Sequence, residues 1–329
     1  MIEIRNQKLS GYTFIDLFAG LGGFRLALES LGARCVYASE WDACVRNVYN
    51  DNFGDVPEGD ITKIDENSIP DHDILCAGFP CQAFSISGSQ KGFLDSRGTL
   101  FFDVARIAIA KRPKVVFMEN VRNFASHDGG RTLAVVKRTM EDAGYDFYYQ
   151  VLDAADYEIP QSRKRIYMVC IRKDLGITSF HFPHPFVLDK HVEDILLDDE
   201  ELVRHLYVSR PDIHLSSLPD DRYDSKPIRL GTVNKGGQGE RIYSINGTAI
   251  TLSAYGGGAF ARTGGYLING RPRRLHPREC ARLMGFPDSY RLSSIPNQAY
   301  RHLGNSVVVD VLQYIAEEIG NMLNAVQEA

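Results

Sequence analysis

The feature that most constrains the fold of this chain is an apolar strand that runs into a glycine-rich loop and then into a helix. Tyr12–Phe18 is predicted to be the strand, and Phe24–Leu31 has the apolar spacing of a helix. The loop between them contains Gly20, Gly22 and Gly23. This order is typical of nucleotide-binding α/β proteins, in which a parallel strand delivers a loop to a helix N-terminus.

The alternation of strands and helices continues through the first half of the chain. Further strands are predicted at Cys35–Ser39, Ile74–Ala77, Val115–Met118, Phe147–Leu152 and Ile166–Cys170. Further helices are predicted at Asp42–Asn50, Leu100–Ala110 and Thr132–Ala143. Because such alternation produces a parallel sheet covered on both faces, we predict an α/β fold with a doubly wound, mostly parallel, Rossmann-like sheet.

A different pattern begins near Phe182-Pro183-His184-Pro185. Residues 194–276 are rich in Gly, Ser, Thr and Arg, with short strands, no long helix and two glycine runs at 236–239 and 256–258. Helical spacing returns at Pro277–Met284 and at Val307–Leu323, whose apolar face should pack on the first domain. We therefore predict one domain from residues 1–193 plus 277–329 and a smaller strand- and loop-rich domain at 194–276.

The composition bounds the class of protein. With 329 residues, 44% of them hydrophobic, the chain can form a large core and a second domain. No apolar run approaches the roughly 20 residues of a membrane helix, and the N-terminus lacks the regions of a signal peptide. The six cysteines include no Cys-x-x-Cys pair, and no His/Cys cluster has zinc spacing. We therefore expect a cytoplasmic protein whose cysteines are reduced thiols. We expect no bound metal and no membrane partner.

The charge is distributed unevenly. The whole chain carries −5, but residues 222–282 contain 11 Lys and Arg against three acidic residues, a net +8. A basic segment in an acidic protein suits a face that meets a polyphosphate such as nucleic acid. A solvated, loop-rich surface explains the same charges equally well.

The glycine loop departs from the dinucleotide-binding fingerprint. Gly20 and Gly22 fit G-x-G-x-x-G, but Arg25 stands in place of the third glycine, which disfavours a dehydrogenase with NAD. S-adenosylmethionine has no phosphate and needs only a loop that its sulfonium and amino-acid moiety can approach. A plain tight turn between strand and helix is the alternative.

Four residues downstream of the glycine loop could complete a nucleoside site. Glu40, about 20 residues past the loop, could accept hydrogen bonds from both ribose hydroxyls. Trp41 offers a flat face to adenine, and Asp60-Ile61 could accept from the adenine amine and cover its other face. Alternatively, Glu40 caps a helix, Trp41 belongs to the core and Asp60 is a turn residue.

A nucleophile and an acid follow in the predicted sheet. Gly78-Phe79-Pro80-Cys81-Gln82 places a cysteine on a tight turn, and Phe117-Met118-Glu119-Asn120-Val121 places a glutamate at the end of an apolar strand. Cysteine is a soft nucleophile that can also leave, and a carboxylic acid can protonate a ring nitrogen if burial keeps it partly protonated. A buried structural thiol is the alternative for Cys81.

Two further segments could serve the same site. Gln161-Ser162-Arg163-Lys164-Arg165 would place residues 161, 163 and 165 on one face of an extended chain, where two arginines could hold a base carbonyl, a phosphate and Glu119. A surface basic cluster is the alternative. The polar segment Ser85–Arg97 has glycines at both shoulders, as a closing lid would.

In this order the segments resemble the DNA (cytosine-5)-methyltransferases. The resemblance runs end to end; its motifs are Phe14–Phe24, Gly78–Gln82, Phe117–Val121, Gln161–Arg165, Arg278–Pro287 and Gly304–Val307. It implies a class I S-adenosylmethionine-dependent methyltransferase fold in which 194–276 is the target-recognition domain. Lys164 departs from the acidic residue expected between the two arginines.

The resemblance implies specific roles. The catalytic residues would be Cys81, Glu119, Arg163 and Arg165. S-adenosylmethionine would be bound by Phe18, Gly20, Leu21, Gly22, Gly23, Glu40, Trp41, Asp60, Ile61, Pro80, Leu100, Asn305 and Ser306. Double-stranded DNA would be contacted by Ser85, Ser87, Arg97, Gln238, Arg241, Thr251, Ser253, Tyr255, Gly257 and Gly258.

With a family member that methylates GCGC, agreement extends into the variable region, notably at 235–243 and 251–258, whereas residues 196–228 resemble it least. The implied reaction flips the inner cytosine out of duplex DNA and methylates its carbon 5 through a covalent Cys81 adduct, with Ser87 and Gln238 filling the space in the duplex. We expect a monomeric, bacterial enzyme whose target site a cognate restriction endonuclease could share. The alternatives are the same chemistry on tRNA and a DNA-binding module without catalysis.

Overall fold

The computed structural model describes residues 2–80, 100–186, 189–216 and 223–327. The chain forms two compact units. The first unit comprises Met1–Leu152, Lys164–Pro183 and Leu312–Ala329, and the second comprises Asp153–Arg163 and His184–Val311. The predicted recognition domain, residues 194–276, lies within the second unit, which also contains residues 153–163, 184–193 and 277–311. The functional boundaries remain a prediction.

The first unit is built on a six-stranded sheet with the order β2-β1-β3-β4-β6-β5. Its strands are β1 (Thr13–Leu17), β2 (Arg34–Ser39), β3 (Ile74–Ala77), β4 (Val115–Val121), β5 (Tyr145–Asp153) and β6 (Lys164–Arg172). Strands β2, β1, β3 and β4 are parallel, whereas β6 runs antiparallel to β4. The predicted mostly parallel α/β fold is confirmed, with an antiparallel pair on one side.

The second unit contains a smaller sheet with the order β11-β10-β9-β8-β7. Its strands are β7 (Ile213–Leu215), β8 (Arg229–Val233), β9 (Arg241–Ser244), β10 (Gly265–Ile268) and β11 (Arg271–Arg273). The pairs are antiparallel except for β9 and β10. One hydrophobic cluster packed around this sheet consists of Leu230, Val233, Ile242, Phe260 and Leu267.

The described residues contain eight α-helices, distributed over both units. They are α1 (Gly23–Glu29), α2 (Ala43–Phe53), α3 (Phe101–Lys111), α4 (Arg131–Asp142), α5 (Glu200–Val203), α6 (Pro277–Arg282), α7 (Pro296–Asn305) and α8 (Val309–Gln327). Helix α7 is not among the predicted helices, because its only buried apolar residues are Ala299, Tyr300 and Leu303. No helix in the described part of the chain is long and apolar enough to cross a membrane.

The core of the first unit explains the position of its polar residues. All four residues of β3 are buried, as are Val115–Asn120 of β4, because helices cover both faces of the sheet. The Phe24 and Phe117 rings pack edge to face, 5.1 Å between centroids. Helix α8 returns to this unit, where the Gln313 amide donates to the Ser30 hydroxyl at 2.9 Å. Polar side chains therefore collect where the parallel strands end.

Candidate active site and recognition surface

The glycine loop after β1 adopts a conformation that depends on its residue types. Gly20 and Gly22 have left-handed φ values of 54° and 73°, and Phe18 shares this conformation at 57°. A Cβ at Gly22 would overlap the Phe53 ring of α2. The loop therefore needs glycine at 22 for both its backbone angle and its packing, and α1 begins immediately after it at Gly23.

Arg25, which stands in place of the third fingerprint glycine, joins α1 to α2. Its guanidinium forms salt bridges with Glu29 at 3.0 Å and Asp55 at 2.7 Å and lies over the Phe53 ring, 4.6 Å from the centroid. A glycine there would allow a close helix–strand approach around a pyrophosphate. Here the position instead carries a charged side chain that braces the helix.

Glu40 holds the glycine loop directly. Its side chain is 7% exposed, and its two oxygens accept from the backbone N–H groups of Gly20 at 3.0 Å and Asp42 at 2.9 Å. Burial raises the pKa of the Glu40 carboxyl, and the Asp42 and Gly20 N–H groups counteract that rise. The structure thus brings two predicted cofactor residues, Glu40 and Gly20, into contact.

The neighbouring predicted residues differ in exposure. The Trp41 side chain is 76% exposed, although it is large and apolar. Asp60 accepts from the backbone and hydroxyl of Thr62, and that hydroxyl lowers the pKa of the Asp60 carboxyl. Ile61 is buried in the core of the first unit. The Glu40 N–H donates to the Glu58 carbonyl at 2.9 Å, so the segment that carries Asp60 runs beside the end of β2.

The other predicted cofactor residues are placed as follows. Leu21 is buried, Pro80 is exposed, and Leu100 is half-buried immediately before α3. Asn305 ends α7 and is exposed, whereas Ser306 is buried; both belong to the second unit.

Glu119 and Arg165 form the ion pair that the sequence predicts. The Arg165 Nε lies 3.2 Å from a Glu119 carboxylate oxygen, and both side chains are mostly buried. Antiparallel pairing of β4 with β6 sets this contact, because Val121 lies opposite Arg165 in the register. Strand β4 therefore extends past Met118, where the predicted strand ends, and includes Glu119.

Asn120 connects this acid to the segment that leads to Cys81. Its buried amide donates to the Phe79 carbonyl at 2.8 Å, and its oxygen accepts from the Val121 N–H at 2.8 Å. Phe79 is two residues before Cys81 in the chain. No role is predicted for Asn120 from the sequence, although its place beside Glu119 in an apolar strand is an available signal. Cys81, Ser85, Ser87 and Arg97 lie outside the described residues.

Most of the other cysteines are unsuited to nucleophilic attack. Burial raises the pKa of Cys76, Cys170 and Cys280 well above the ordinary thiol value and that of Cys35 to about 12. A thiol with a raised pKa supplies little thiolate at neutral pH. All five described cysteines are free thiols, and Cys44 is the exposed one.

Arg163 is held by backbone carbonyl groups. It is 2% exposed in the second unit, and its guanidinium donates to the backbone carbonyls of Leu252, Gly304 and Ser306. These three carbonyls take three of the five N–H groups of the guanidinium. The role of Arg163 beside Arg165 on the base remains a prediction.

Five of the predicted DNA contacts surround one groove of about 240 Å³ in the second unit: Gln238, Thr251, Ser253, Tyr255 and Gly257. Tyr255 is 69% exposed. The Thr251 hydroxyl donates to the Ser162 carbonyl at 2.6 Å, and the Ser253 hydroxyl donates to the Tyr255 carbonyl. The structure thus places residues from the two glycine-containing loops around one groove.

The two glycine runs meet at this groove through their backbones. A Cβ at Gly239 would overlap the Gly257 carbonyl oxygen, and one at Gly258 would lie 2.6 Å from the Gly239 carbonyl oxygen. Arg241 begins β9, half-buried, and its Nε donates to the Gly236 carbonyl at 3.3 Å. Only glycine permits such an approach, so the runs act as packing residues as well as loop residues.

Arg262 lines the same groove. It has a left-handed φ of 74°, and its guanidinium donates to the backbone and side-chain oxygens of Asn297, both at 3.1 Å. It therefore ties the second glycine loop to α7.

One group of described residues brings three metal-type ligand atoms within 4.8 Å of one another: His191, Glu193 and Asp194. The Asp194 carboxylate already accepts from the His191 backbone N–H at 2.7 Å, as a turn cap does. Exposed carboxylates of this kind are common at turns without a metal.

The chain is similar to known proteins in sequence. The family model for C-5 cytosine-specific DNA methylases matches residues 12–321. The chain is 64% identical over 324 residues to the type II methyltransferase M.HhaI of Haemophilus parahaemolyticus, covering 98% of this chain and 99% of that protein. It is 42% identical to the type II methyltransferase M.HpaII of Haemophilus parainfluenzae, covering 94% and 91%.

Solved structures show the same fold at lower identity. The S. pombe Dnmt2 methyltransferase superposes with a TM-score of 0.71 at 21% identity and 95% coverage of this chain. A prophage-encoded putative DNA modification methyltransferase from E. coli superposes with a TM-score of 0.70 at 21% identity. Since the family model and the full-length relatives agree, the chain belongs to the C-5 cytosine-specific DNA methylase family and methylates carbon 5 of cytosine in DNA.

Proposed function

We propose that the chain methylates the inner cytosine of GCGC in duplex DNA, with S-adenosylmethionine as donor and Cys81 as nucleophile. The observation that carries the catalytic part is the Glu119–Arg165 pair at the carboxyl ends of the parallel strands. The Asn120–Phe79 hydrogen bond supports it, because it holds the segment leading to Cys81 beside the same acid.

The chemistry explains these residue types. Carbon 5 of cytosine is a poor nucleophile within an aromatic ring. Addition of the Cys81 thiolate to carbon 6, with protonation of ring nitrogen 3 by Glu119, converts the C5–C6 bond into an enamine with a nucleophilic carbon 5. Arg165 orients the Glu119 carboxyl for this transfer. After methylation, loss of the carbon-5 proton expels the thiolate and restores the aromatic ring.

The first unit offers a nucleoside site that fits S-adenosylmethionine. When bound, this molecule supplies an electrophilic methyl group on a sulfonium. Glu40 carries a buried carboxylate suited to ribose hydroxyls, and the exposed Trp41 ring is suited to adenine. The braced Arg25 supports this interpretation over a dinucleotide. Asp60, Pro80 and Leu100 of the first unit belong to the same proposed set, and the roles of Asn305 and Ser306 remain what the family resemblance implies.

Recognition of GCGC rests on the groove of the second unit. Arg241 can place its planar fork on guanine O6 and N7 in the major groove. Carbon 6 must be approached perpendicular to the base plane, which requires that the cytosine leave the stack. We propose that Gln238, which lines the groove, and Ser87 fill the vacated space.

The substrate, the oligomeric state and the cellular setting are also proposed. DNA rather than tRNA is the substrate, since the full-length relatives named above are type II methyltransferases. We propose a monomeric, cytoplasmic bacterial enzyme. A cognate restriction endonuclease shares its DNA target sequence but does not bind the methyltransferase.

Incubation with tritiated S-adenosylmethionine and plasmid DNA, followed by bisulfite sequencing, tests this function. The expected result is 5-methylcytosine at the inner cytosine of GCGC and nowhere else. Marks spread over other contexts, or absent from GCGC, contradict the proposed target. A DNA duplex with 5-fluorocytosine at the target should form a covalent adduct through Cys81, because fluorine cannot leave as a proton does.

A further inference from the structure

Gln161 and Arg163 form a buried polar brace within the second unit. Gln161 is 0% exposed; its amide donates to the Leu283 carbonyl at 2.7 Å and its oxygen accepts from the Leu252 N–H at 3.0 Å. Arg163 donates to the Leu252 carbonyl at 3.0 Å. Two neighbouring side chains thus hold both backbone groups of Leu252, the residue between Thr251 and Ser253.

The same brace reaches the turn after α7. One nitrogen of the Arg163 guanidinium donates to the Gly304 carbonyl at 3.1 Å and the Ser306 carbonyl at 2.7 Å. Gly304 also touches the recognition loop, since a Cβ there would overlap the backbone of Ser253 and Ala254. Backbone pairing of Ser162 with Ala249, at 2.8 Å, aligns the two segments along their length.

We propose that Gln161 and Arg163 are positioning residues for target-sequence recognition: they fix the loop of residues 251–258 against the Gly304–Ser306 turn. The proposal deepens the proposed function, because it rests on this loop reading bases. It separates the two arginines of one motif, since Arg165 serves the catalytic acid and Arg163 serves the loop that discriminates targets.

The narrow distance range of hydrogen bonds to bases explains how this brace affects target specificity. Base readout depends on hydrogen bonds that weaken steeply outside about 2.7–3.2 Å, so a small displacement of the loop removes discrimination. Arginine suits the position because a rigid planar fork can reach three carbonyls at once, whereas the lysine ammonium is a single point on a flexible stem.

The test compares Arg163→Lys with Arg165→Lys in the full-length enzyme. The readouts are the single-turnover methylation rate at saturating cognate duplex and the ratio of kcat/KM between the wild-type target and duplexes with one changed base pair. The target is the one that bisulfite sequencing assigns to the wild type, so the comparison holds whether or not that target is GCGC. Arg138→Lys, at an 85% exposed side chain on α4, is the neutral control.

Arg163→Lys should lower the discrimination ratio by about tenfold or more, with the single-turnover rate within about threefold of wild type. Arg165→Lys should lower the single-turnover rate and leave the ratio unchanged. The proposal is overturned if Arg163→Lys reproduces the Arg165→Lys pattern, or if it keeps the wild-type ratio.

Gly304→Ala supplies an independent test if Arg163→Lys does not fold. Its new methyl group would push on the Ser253–Ala254 backbone and should lower the ratio in the same way. An unchanged thermal shift with S-adenosylhomocysteine would show that the Gly304→Ala protein is folded. If that folded protein discriminates between targets as the wild type does, the proposal is also overturned.

Discussion

The carboxyl edge of the six-stranded sheet and the groove of the second unit are built differently, the first from projecting side chains and the second from loop backbones in contact. At the sheet edge, single side chains such as Glu119 and Arg165 project from strands whose register sets their separation. At the groove, the backbones of two glycine loops touch each other, and side chains such as Arg262 hold the loops in place.

This difference predicts which substitutions impair catalysis and which impair target recognition. Removing one functional group at the sheet edge should abolish a chemical step while the fold persists. Adding one methyl group at the groove should displace a loop while the chemistry persists.

Cys81→Ser should produce the largest effect, a fall in methyl transfer of at least about a thousandfold, because removal of a catalytic nucleophile typically has such consequences. A serine hydroxyl is too weak an acid to supply an alkoxide for addition to carbon 6. Single-turnover transfer of tritium measures the rate, and gel-shift titration should show unchanged DNA affinity. Full activity in the serine variant would refute the nucleophile assignment.

Glu119→Gln should lower the single-turnover rate by about a hundredfold or more, in the range expected for loss of a general acid. The amide keeps the shape of the side chain but cannot donate an acidic proton to ring nitrogen 3. The ratio of rates on cognate and altered duplexes should stay at the wild-type value. A change in that ratio would show that chemistry and recognition are not separable.

Arg241→Ala should lower discrimination against a changed guanine by roughly 1–3 kcal/mol, the value of a bidentate base contact. Competition between cognate and altered duplexes for methylation measures it. Lys226→Ala, on the basic segment, is the comparison, because loss of a phosphate contact weakens all sequences alike. Equal losses on every duplex in the Arg241→Ala variant would assign that residue to phosphate instead.

Glu40→Ala should weaken S-adenosylmethionine binding by about tenfold, since a hydrogen bond to a charged group contributes about 1.5–3 kcal/mol. Ligand that binds only the folded state raises the melting temperature, so thermal shift measures the loss. NAD should give no shift with the wild type. A shift as large with NAD would contradict the interpretation of the glycine loop.

Gly239→Ala should have the smallest effect on chemistry but lower the melting temperature, because overpacking typically destabilises by about 1–3 kcal/mol. Gly257→Ala is the matched control for stability, since nothing lies within 4 Å of a Cβ there. Differential scanning calorimetry of the two variants checks the difference. Equal melting temperatures would mean that the loop backbones are not in firm contact.

Local patterns were sufficient for most of the first unit. Strand β3 begins and ends where predicted, at Ile74 and Ala77, because a short apolar run between turn residues leaves little choice. Helix α7 escaped prediction because its polar face dominates a short segment. The pairing of Glu119 with Arg165 was predicted from the motifs, but the extension of β4 that produces it depends on β6.

The sequence by itself determined the strand–helix alternation, the glycine loop, the acid at the end of a strand and the family. Only the tertiary structure decided that Gln161 and Arg163 hold the backbone of Leu252 and that Arg163 also reaches the Gly304 and Ser306 carbonyls. The reason is physical: the partners of Arg163 lie 89 to 143 residues away in the chain. Neither residue spacing nor strand alternation carries information about contacts at that separation.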